Sequence, residues 1–137
     1  MMSSAWDLKA AIKSALTSDP SLMALLGNPP PVHDRVPDGA ALPYVTFGDW
    51  NIDQSDTDDA RIDSHVFLID AWSSYAGTKE TKAVANAIEL ALHGAAITLE
   101  DHVLIYLLFT GVAVTQDIGA GLSRASLRFR ALTQMSE

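Results

Sequence analysis

The stretch DRVPDGAALPYVTFG, residues 34–48, decides how this chain is organised. Pro37 and Gly39 disfavour regular structure in its first half, and Pro43 stands where a strand can begin without losing a needed hydrogen-bond donor. The residues from Tyr44 to Phe47 are strong strand formers. Helical patterns precede this stretch and strand patterns dominate after it, so the stretch separates a helical start from a sheet.

Two helices are predicted in the residues before the boundary. Ser3 or Ser4 can cap the first helix, with Asp7 in the position of a capping-box acid. The second, short helix begins at the Asp-Pro pair 19–20, and the glycine and prolines within residues 27–31 end it. Apolar side chains recur at helical spacing in both segments, at Leu8, Ile12, Ala15 and Leu16 and then at Leu22, Met23, Leu25 and Leu26.

A long hairpin is predicted to follow, with strands from about Tyr44 to Ile52 and from about Arg61 to Trp72. The apolar residues change side after Gly48, which predicts a bulge or sharp twist there. Residues 65–69 are apolar apart from the histidine, which predicts a strand that is covered on both faces. The polar residues between the strands are predicted to form an exposed tip.

The second half of the chain adds one helix and two strands. Thr78 can cap the helix and Gly94 ends it. Strands are predicted from His102 to about Gln116 and from Leu122 to about Thr133. The order of elements predicts an α+β fold, in which a mainly antiparallel four-stranded sheet packs against two N-terminal helices and one inserted helix. Residues 1–137 are expected to form a single domain.

Composition limits the possible functions. The chain has 17 acidic and nine basic residues and a net charge of −8, which disfavours a protein that reads nucleic acid. It has no cysteine, which excludes disulfides and thiolate metal sites. The apolar run from Val103 to Val114 is shorter than the roughly 20 residues of a membrane span, and the N-terminus lacks a signal-peptide pattern. We therefore expect a soluble intracellular protein without membrane contact.

No catalytic motif is recognisable in the sequence. The four histidines are not spaced as metal ligands, and the acidic segment lacks the glycine and glutamate of an EF-hand loop. We expect no enzymatic activity, no cofactor and no metal. Two alternatives stay open, namely a small hydrolase that uses Asp34 or His65 and a ligand-binding α+β module.

Two clusters of opposite charge are candidates for an interface. The basic cluster lies on one face of the last strand and consists of Arg124, Arg128 and Arg130. The acidic cluster lies at the hairpin tip and consists of Asp53, Asp56, Asp58 and Asp59. Either carboxylates on neighbouring strands balance the arginines, or the arginines meet the acidic hairpin of a second copy in a head-to-tail contact. The acidic tip is either a solvated turn or an arm that faces a partner.

The boundary stretch and the layout resemble the tail completion or tail terminator proteins of long-tailed phages and of phage-derived gene transfer agents. The resemblance is carried by Asp34-Arg35 before Pro37, by Leu42-Pro43-Tyr44-Val45, and by Gly48 four residues after the tyrosine. It extends over most of the chain through two short helices, a hairpin, one helix and two closing strands.

This resemblance implies a virion structural protein. Tail terminators form a six-membered ring on the head-proximal end of the tail tube, stop tube polymerisation and dock to the head connector or stopper protein. The implied partners are further copies of the chain, the tail tube protein and the connector, while DNA passes through the ring without specific binding. The implied location is the host cytoplasm during assembly and then the head–tail junction of the particle. Another head–tail connector or neck protein is the alternative.

Overall fold

The computed structural model describes residues 3–55, 60–74 and 78–136, and this part of the chain contains three α-helices and five β-strands. The elements are, in chain order, α1 (Ser4–Thr17), α2 (Pro20–Leu26), β1 (Val32–His33), β2 (Tyr44–Gln54), β3 (Ile62–Ser74), α3 (Thr78–Leu92), β4 (His102–Asp117) and β5 (Leu122–Met135). The predicted α+β class is therefore confirmed.

The five strands form one sheet in the order β1-β2-β3-β5-β4. All neighbours are antiparallel except β1, which runs parallel to β2 with Val32 beside Val45 and His33 beside Thr46. The prediction of four strands is therefore wrong by one. A two-residue strand shows no periodicity, so the pattern on which strand prediction depends is missing from β1.

The sheet has two unlike faces, which we call the core face and the outer face. The core face carries Phe67 and Ile69 of β3 and Leu127 and Phe129 of β5, all of them buried. The three helices contribute their apolar side chains to the same core cluster. The outer face carries the alternate residues of the strands, which are mostly exposed or half-buried. The fold is thus a helical layer on one side of a sheet.

The prediction that residues 65–69 are covered on both faces is wrong. Phe67 and Ile69 are buried on the core face, but Val66 on the outer face is 38% exposed and Leu68 is half-buried. Apolar residues on both faces of a strand do not show whether elements of the same chain cover both faces. Here the described helices cover one face, so the apolar outer face remains accessible.

The predicted irregularity at Gly48 is confirmed. The pairing of β2 with β3 shifts between Phe47 and Trp50, which is a β-bulge. A Cβ atom on Gly48 would lie 3.0 Å from the Cβ of Leu68, so a larger residue would crowd the neighbouring strand. The bulge keeps both Phe47 and Trp50 on the core face although they differ in parity.

Candidate interaction surface

The buried histidine His65 has a structural environment. Its Nδ1 accepts a hydrogen bond from Trp50 Nε1 at 3.0 Å, and its Nε2 lies 3.0 Å from Thr133 Oγ1. Because the indole N–H can only donate, Nδ1 is the acceptor and Nε2–H donates to the threonine. Burial lowers the pKa of His65 to about 4. Both ring nitrogens are engaged inside the protein, so this histidine holds β2, β3 and β5 together.

A second polar cluster joins α1 to the start of β4. Asp7 accepts hydrogen bonds from the backbone N–H groups of Glu100 and Asp101 at 2.9 and 2.8 Å, and from His102 Nδ1 at 2.8 Å. Burial acts to raise the pKa of Asp7, but these donors outweigh it and hold the pKa below its ordinary value. The predicted capping-box role of Asp7 is wrong, because its carboxylate bonds to this distant segment instead. Ser3 alone caps α1 by accepting from Trp6 N–H.

Other chemical candidates have no support in the described part of the chain. Asp34 is exposed and forms a 2.7 Å ion pair with Lys9. Within residues 3–55, 60–74 and 78–136, no group of three or more histidine and acidic side chains is placed to hold a metal ion. None of the described helices combines the length and the apolar character of a membrane span.

The three predicted interface arginines lie on the outer face of β5 and are exposed. The guanidinium of Arg124 lies 5.3 Å from the centre of the Trp72 ring, and Arg128 Nε donates to Thr110 Oγ1 at 3.2 Å. Across the described residues, no carboxylate lies within ion-pair distance of Arg124, Arg128 or Arg130. Carboxylates on the described neighbouring strands therefore do not pair with the arginines.

Of the predicted acidic cluster, only Asp53 belongs to the described residues, and it does not lie beside the arginines. Asp53 is exposed near the end of β2, and β3 separates this strand from the arginines of β5. Asp56, Asp58 and Asp59 lie outside the described residues. The fold therefore does not bring Asp53 to the arginines within one copy, and a contact between them needs a second copy.

Strand β4 forms an apolar edge of the sheet that the sequence analysis did not identify as an interaction surface. Its exposed apolar side chains are 38% to 54% accessible and belong to Val103, Ile105, Leu108, Val112 and Val114. No charged residue occurs between His102 and Asp117. This uncharged run was the available sequence signal for an interaction surface. The sequence does not show, however, which strand lies at the edge of the sheet, because that depends on the topology. Leu108 lies beside Arg130 on the outer face, whereas Val112 and Val114 pair with the core-face residues of β5, so both faces of this edge are apolar.

Comparisons with known proteins point to one kind of assembly. The family model described as "Tail completion protein gp17" matches residues 10–134. Among solved structures, the chain is similar to a chain of the "Virion of native gene transfer agent (GTA) particle". The two share 31% sequence identity over 98% of this chain and 99% of that chain, with a TM-score of 0.88. None of the curated proteins shows a significant similarity to this chain.

Proposed function

Because the chain belongs to the tail completion protein gp17 family, a family of virion structural proteins, we propose that it acts as a tail terminator. In this role it caps the head-proximal end of the tail tube as a ring, stops tube polymerisation and joins the tail to the head connector. The observation that carries the proposal is the similarity of nearly the whole chain to one chain of a gene transfer agent virion.

The distribution of charge supports a ring of identical subunits. Arg128 and Arg130 are exposed without carboxylate partners among the described residues, and Asp53 is exposed on a different strand. A contact between unlike surfaces of two copies repeats around an axis and closes when the rotation allows. Opposite charges at the two surfaces favour the correct pairing over others. We infer a homo-hexamer from the resemblance to tail terminators.

The acidic character of the chain suits a ring through which DNA moves. The net charge is −8, and carboxylates repel the phosphates of DNA, so a lumen lined by acids has no strong binding sites. In this model the segment from Asp53 to Asp59 faces either the lumen or the neighbouring subunit. The ring assembles in the host cytoplasm on the tail tube protein and then remains at the head–tail junction.

Deletion of the gene tests the proposal directly. Electron microscopy of particles from the deletion strain should show overlong tails of variable length without heads, and expression of the wild-type chain should restore tails of fixed length joined to heads. Tails of normal length that lack heads would instead indicate a connector or neck protein. Normal tails joined to heads would contradict both roles.

A second measurement separates the terminator from a connector. Purified chain that carries an affinity tag, added to the headless tails of the deletion strain, should bind one end of each tube and be visible there by gold labelling. Binding to the portal end of isolated heads, with none on tubes, would contradict the terminator role. The comparison uses the same protein on both targets, so a misfolded preparation would fail on both.

A further inference from the structure

We propose that β4 is the strand through which one copy of this chain extends its sheet into a second copy. In this arrangement β4 pairs antiparallel with the end of β2, residues 49–54, in the second copy, and Arg128 reaches a carboxylate of that segment. The inference rests on the proposed ring, and it specifies which two edges of the sheet meet.

The edge formed by β4 carries neither the charges nor the prolines that commonly protect an edge strand against pairing. Soluble proteins guard such an edge with lysines, prolines, inward-pointing charges or β-bulges. Strand β4 is 16 residues long and pairs only with β5 among the described residues, and residues 103–116 contain neither a charge nor a proline. Pairing shifts at residues 104–106 and 109–111 leave Tyr106–Phe109 as a regular segment at its centre. This segment is long enough to pair with a short partner strand.

The opposite edge of the sheet offers such a strand. The parallel strand β1 covers β2 only at Val45 and Thr46. From Asn51 to Gln54 every residue of β2 is exposed, and β2 pairs there only with β3 among the described residues. Within residues 49–54 of β2, Asp49 and Asp53 are the exposed carboxylates. This segment is therefore short and carries two exposed carboxylates, whereas the β4 edge is long and apolar.

The strand directions and faces of the two edges are compatible. Since each of the pairs β2–β3, β3–β5 and β5–β4 is antiparallel, β4 runs opposite to β2. A second copy added in the same orientation therefore presents its β2 antiparallel to β4. Asp53 pairs with Ser64, which pairs with Leu132, two residues from Arg130 on β5, so Asp53 and the arginines share the outer face. When the sheet of one copy continues into the sheet of the next, the outer faces of both copies lie on the same side.

Arg128 is directed toward the β4 edge. It pairs with Gly111 of β4, and a Cβ atom on that glycine would lie 3.4 Å from Arg128 Nη2. The side chain therefore lies over the glycine, and Arg128 Nε donates to Thr110 Oγ1. Asp70, which is on the same face of β3, does not form an ion pair with it. The remaining guanidinium N–H groups are thus held where they can donate hydrogen bonds to a carboxylate on an added strand.

Charge selects β2 rather than β4 as the partner strand. Two β4 edges could also pair about a two-fold axis, but this would offer Arg128 no carboxylate, because residues 103–116 of β4 carry no charge. Asp49 or Asp53 of a second copy supplies the opposite charge. A β4–β2 contact is also of the head-to-tail kind that closes into a ring, whereas a β4–β4 contact ends at a dimer.

Engineered cysteines can detect the proposed pairing in assembled particles, since the chain has no cysteine of its own. Asn51 and Leu108 are exposed on the outer faces of β2 and β4. Particles that carry Asn51→Cys and Leu108→Cys in the same chain, treated with a short flexible bismaleimide, should give a ladder of cross-linked oligomers. A matched pair on the helical layer, Lys13→Cys and Leu90→Cys, should give none.

The outcomes separate this inference from the proposed function. A dimer from Leu108→Cys alone would contradict β4–β2 pairing and indicate two-fold pairing of β4. Absence of the ladder in particles with normal tails would overturn the inference while leaving the terminator role intact. If the terminator role itself were wrong, the deletion strain, which lacks this chain, would produce normal tails joined to heads.

A charge exchange tests the part assigned to Arg128. Arg128→Glu should abolish the ladder, and Asp49→Arg or Asp53→Arg in the same chain should restore it, because every interface then contains the reversed pair. A ladder that persists in Arg128→Glu would show that Arg128 does not contact the added strand. The ladder could also stay absent when Asp49→Arg or Asp53→Arg is added to Arg128→Glu. If the circular dichroism of these variants is unchanged, that result would equally count against an Arg128–carboxylate contact.

Discussion

The two sides of the sheet differ in how polar and charged side chains are paired. On the core side, Asp7 of α1 receives three hydrogen-bond donors, His65 uses both ring nitrogens, and Asp63 accepts from Ser4 Oγ. On the outer face, Arg128 and Arg130 have no carboxylate partner among the described residues. Leaving a buried charge unpaired costs free energy, whereas an exposed charge can pair with another molecule.

This difference gives each face a separate expected phenotype. Substitutions in the polar groups of the core face should lower the free energy of unfolding of the isolated chain. Substitutions of the outer-face arginines should leave that free energy nearly unchanged and act on assembly.

Asp7→Ala should cause the largest loss of stability. It leaves the buried His102 ring and the partly buried N–H groups of Glu100 and Asp101 without their acceptor. A buried donor that loses its acceptor costs about 1–3 kcal/mol. Urea denaturation of the purified chain measures the change. Asp34→Ala removes an exposed ion pair with Lys9 and should cost less than about 1 kcal/mol. Equal losses in the two variants would contradict the contrast between buried and exposed charges.

The stability of the chain should fall as the pH drops from about 6.5 to about 4. Burial holds the pKa of His65 near 4, with the charge of Asp63 acting in the opposite direction and that of His102 adding to the decrease. In the unfolded chain the imidazole ring of His65 binds a proton below about pH 6.5. The unfolded state therefore takes up more protons in this window, and the free energy of unfolding decreases by up to about 3 kcal/mol.

Denaturation curves collected through this pH window measure the effect, and His65→Gln is the matched control. Glutamine can accept from Trp50 and donate to Thr133, but it does not titrate. The variant should lose most of the decrease between about pH 6.5 and 4. Asp7 contributes in the same direction only below the ordinary carboxyl pKa of 3.8, because its own pKa is lowered. If the free energy of unfolding of His65→Gln falls with pH as steeply as that of the wild-type chain, another titrating group causes most of the decrease.

Periodicity and runs of strand-forming residues were sufficient to predict the helices and the four long strands, although only β3 and β5 bury a regular alternating stripe. The alternation on β5, with Ala125, Leu127 and Phe129 buried and Arg128 exposed, is confirmed. Strand β1 was missed because two residues carry no period. The double covering of residues 65–69 was wrong because a sequence does not state whether its second apolar face is covered by its own chain or left open.

The candidate site was only partly predictable for a related reason. The arginines stood out because they share one face of one strand, which a period of two reveals. The role of the β4 edge depends on the strand order β1-β2-β3-β5-β4, and the position of Arg128 over Gly111 depends on register. Both are long-range properties that no local pattern contains. The hydrogen bonds of Asp7 to residues more than 90 positions away were hidden for the same reason.

Arg128→Glu with Arg130→Glu should give the smallest change in stability and a complete loss of assembly. Both side chains are exposed, so the free energy of unfolding should change by less than about 0.5 kcal/mol. Electron microscopy of particles from cells that express only this variant should show the overlong, headless tails of the deletion strain, because the interface has lost its basic partner. Urea denaturation of the purified variant provides the stability measurement.

The control for this pair is Lys13→Glu with Lys79→Glu, which makes the same change of net charge on exposed positions of α1 and α3. If net charge alone governed assembly, both pairs would give headless tails. The outer-face model requires that the lysine pair assemble normally and that only the arginine pair fail. A folded arginine variant that produces normal particles would show that the unpaired charge of the outer face has no part in the ring. An arginine variant that loses its circular-dichroism signal would show that these side chains stabilise the subunit itself.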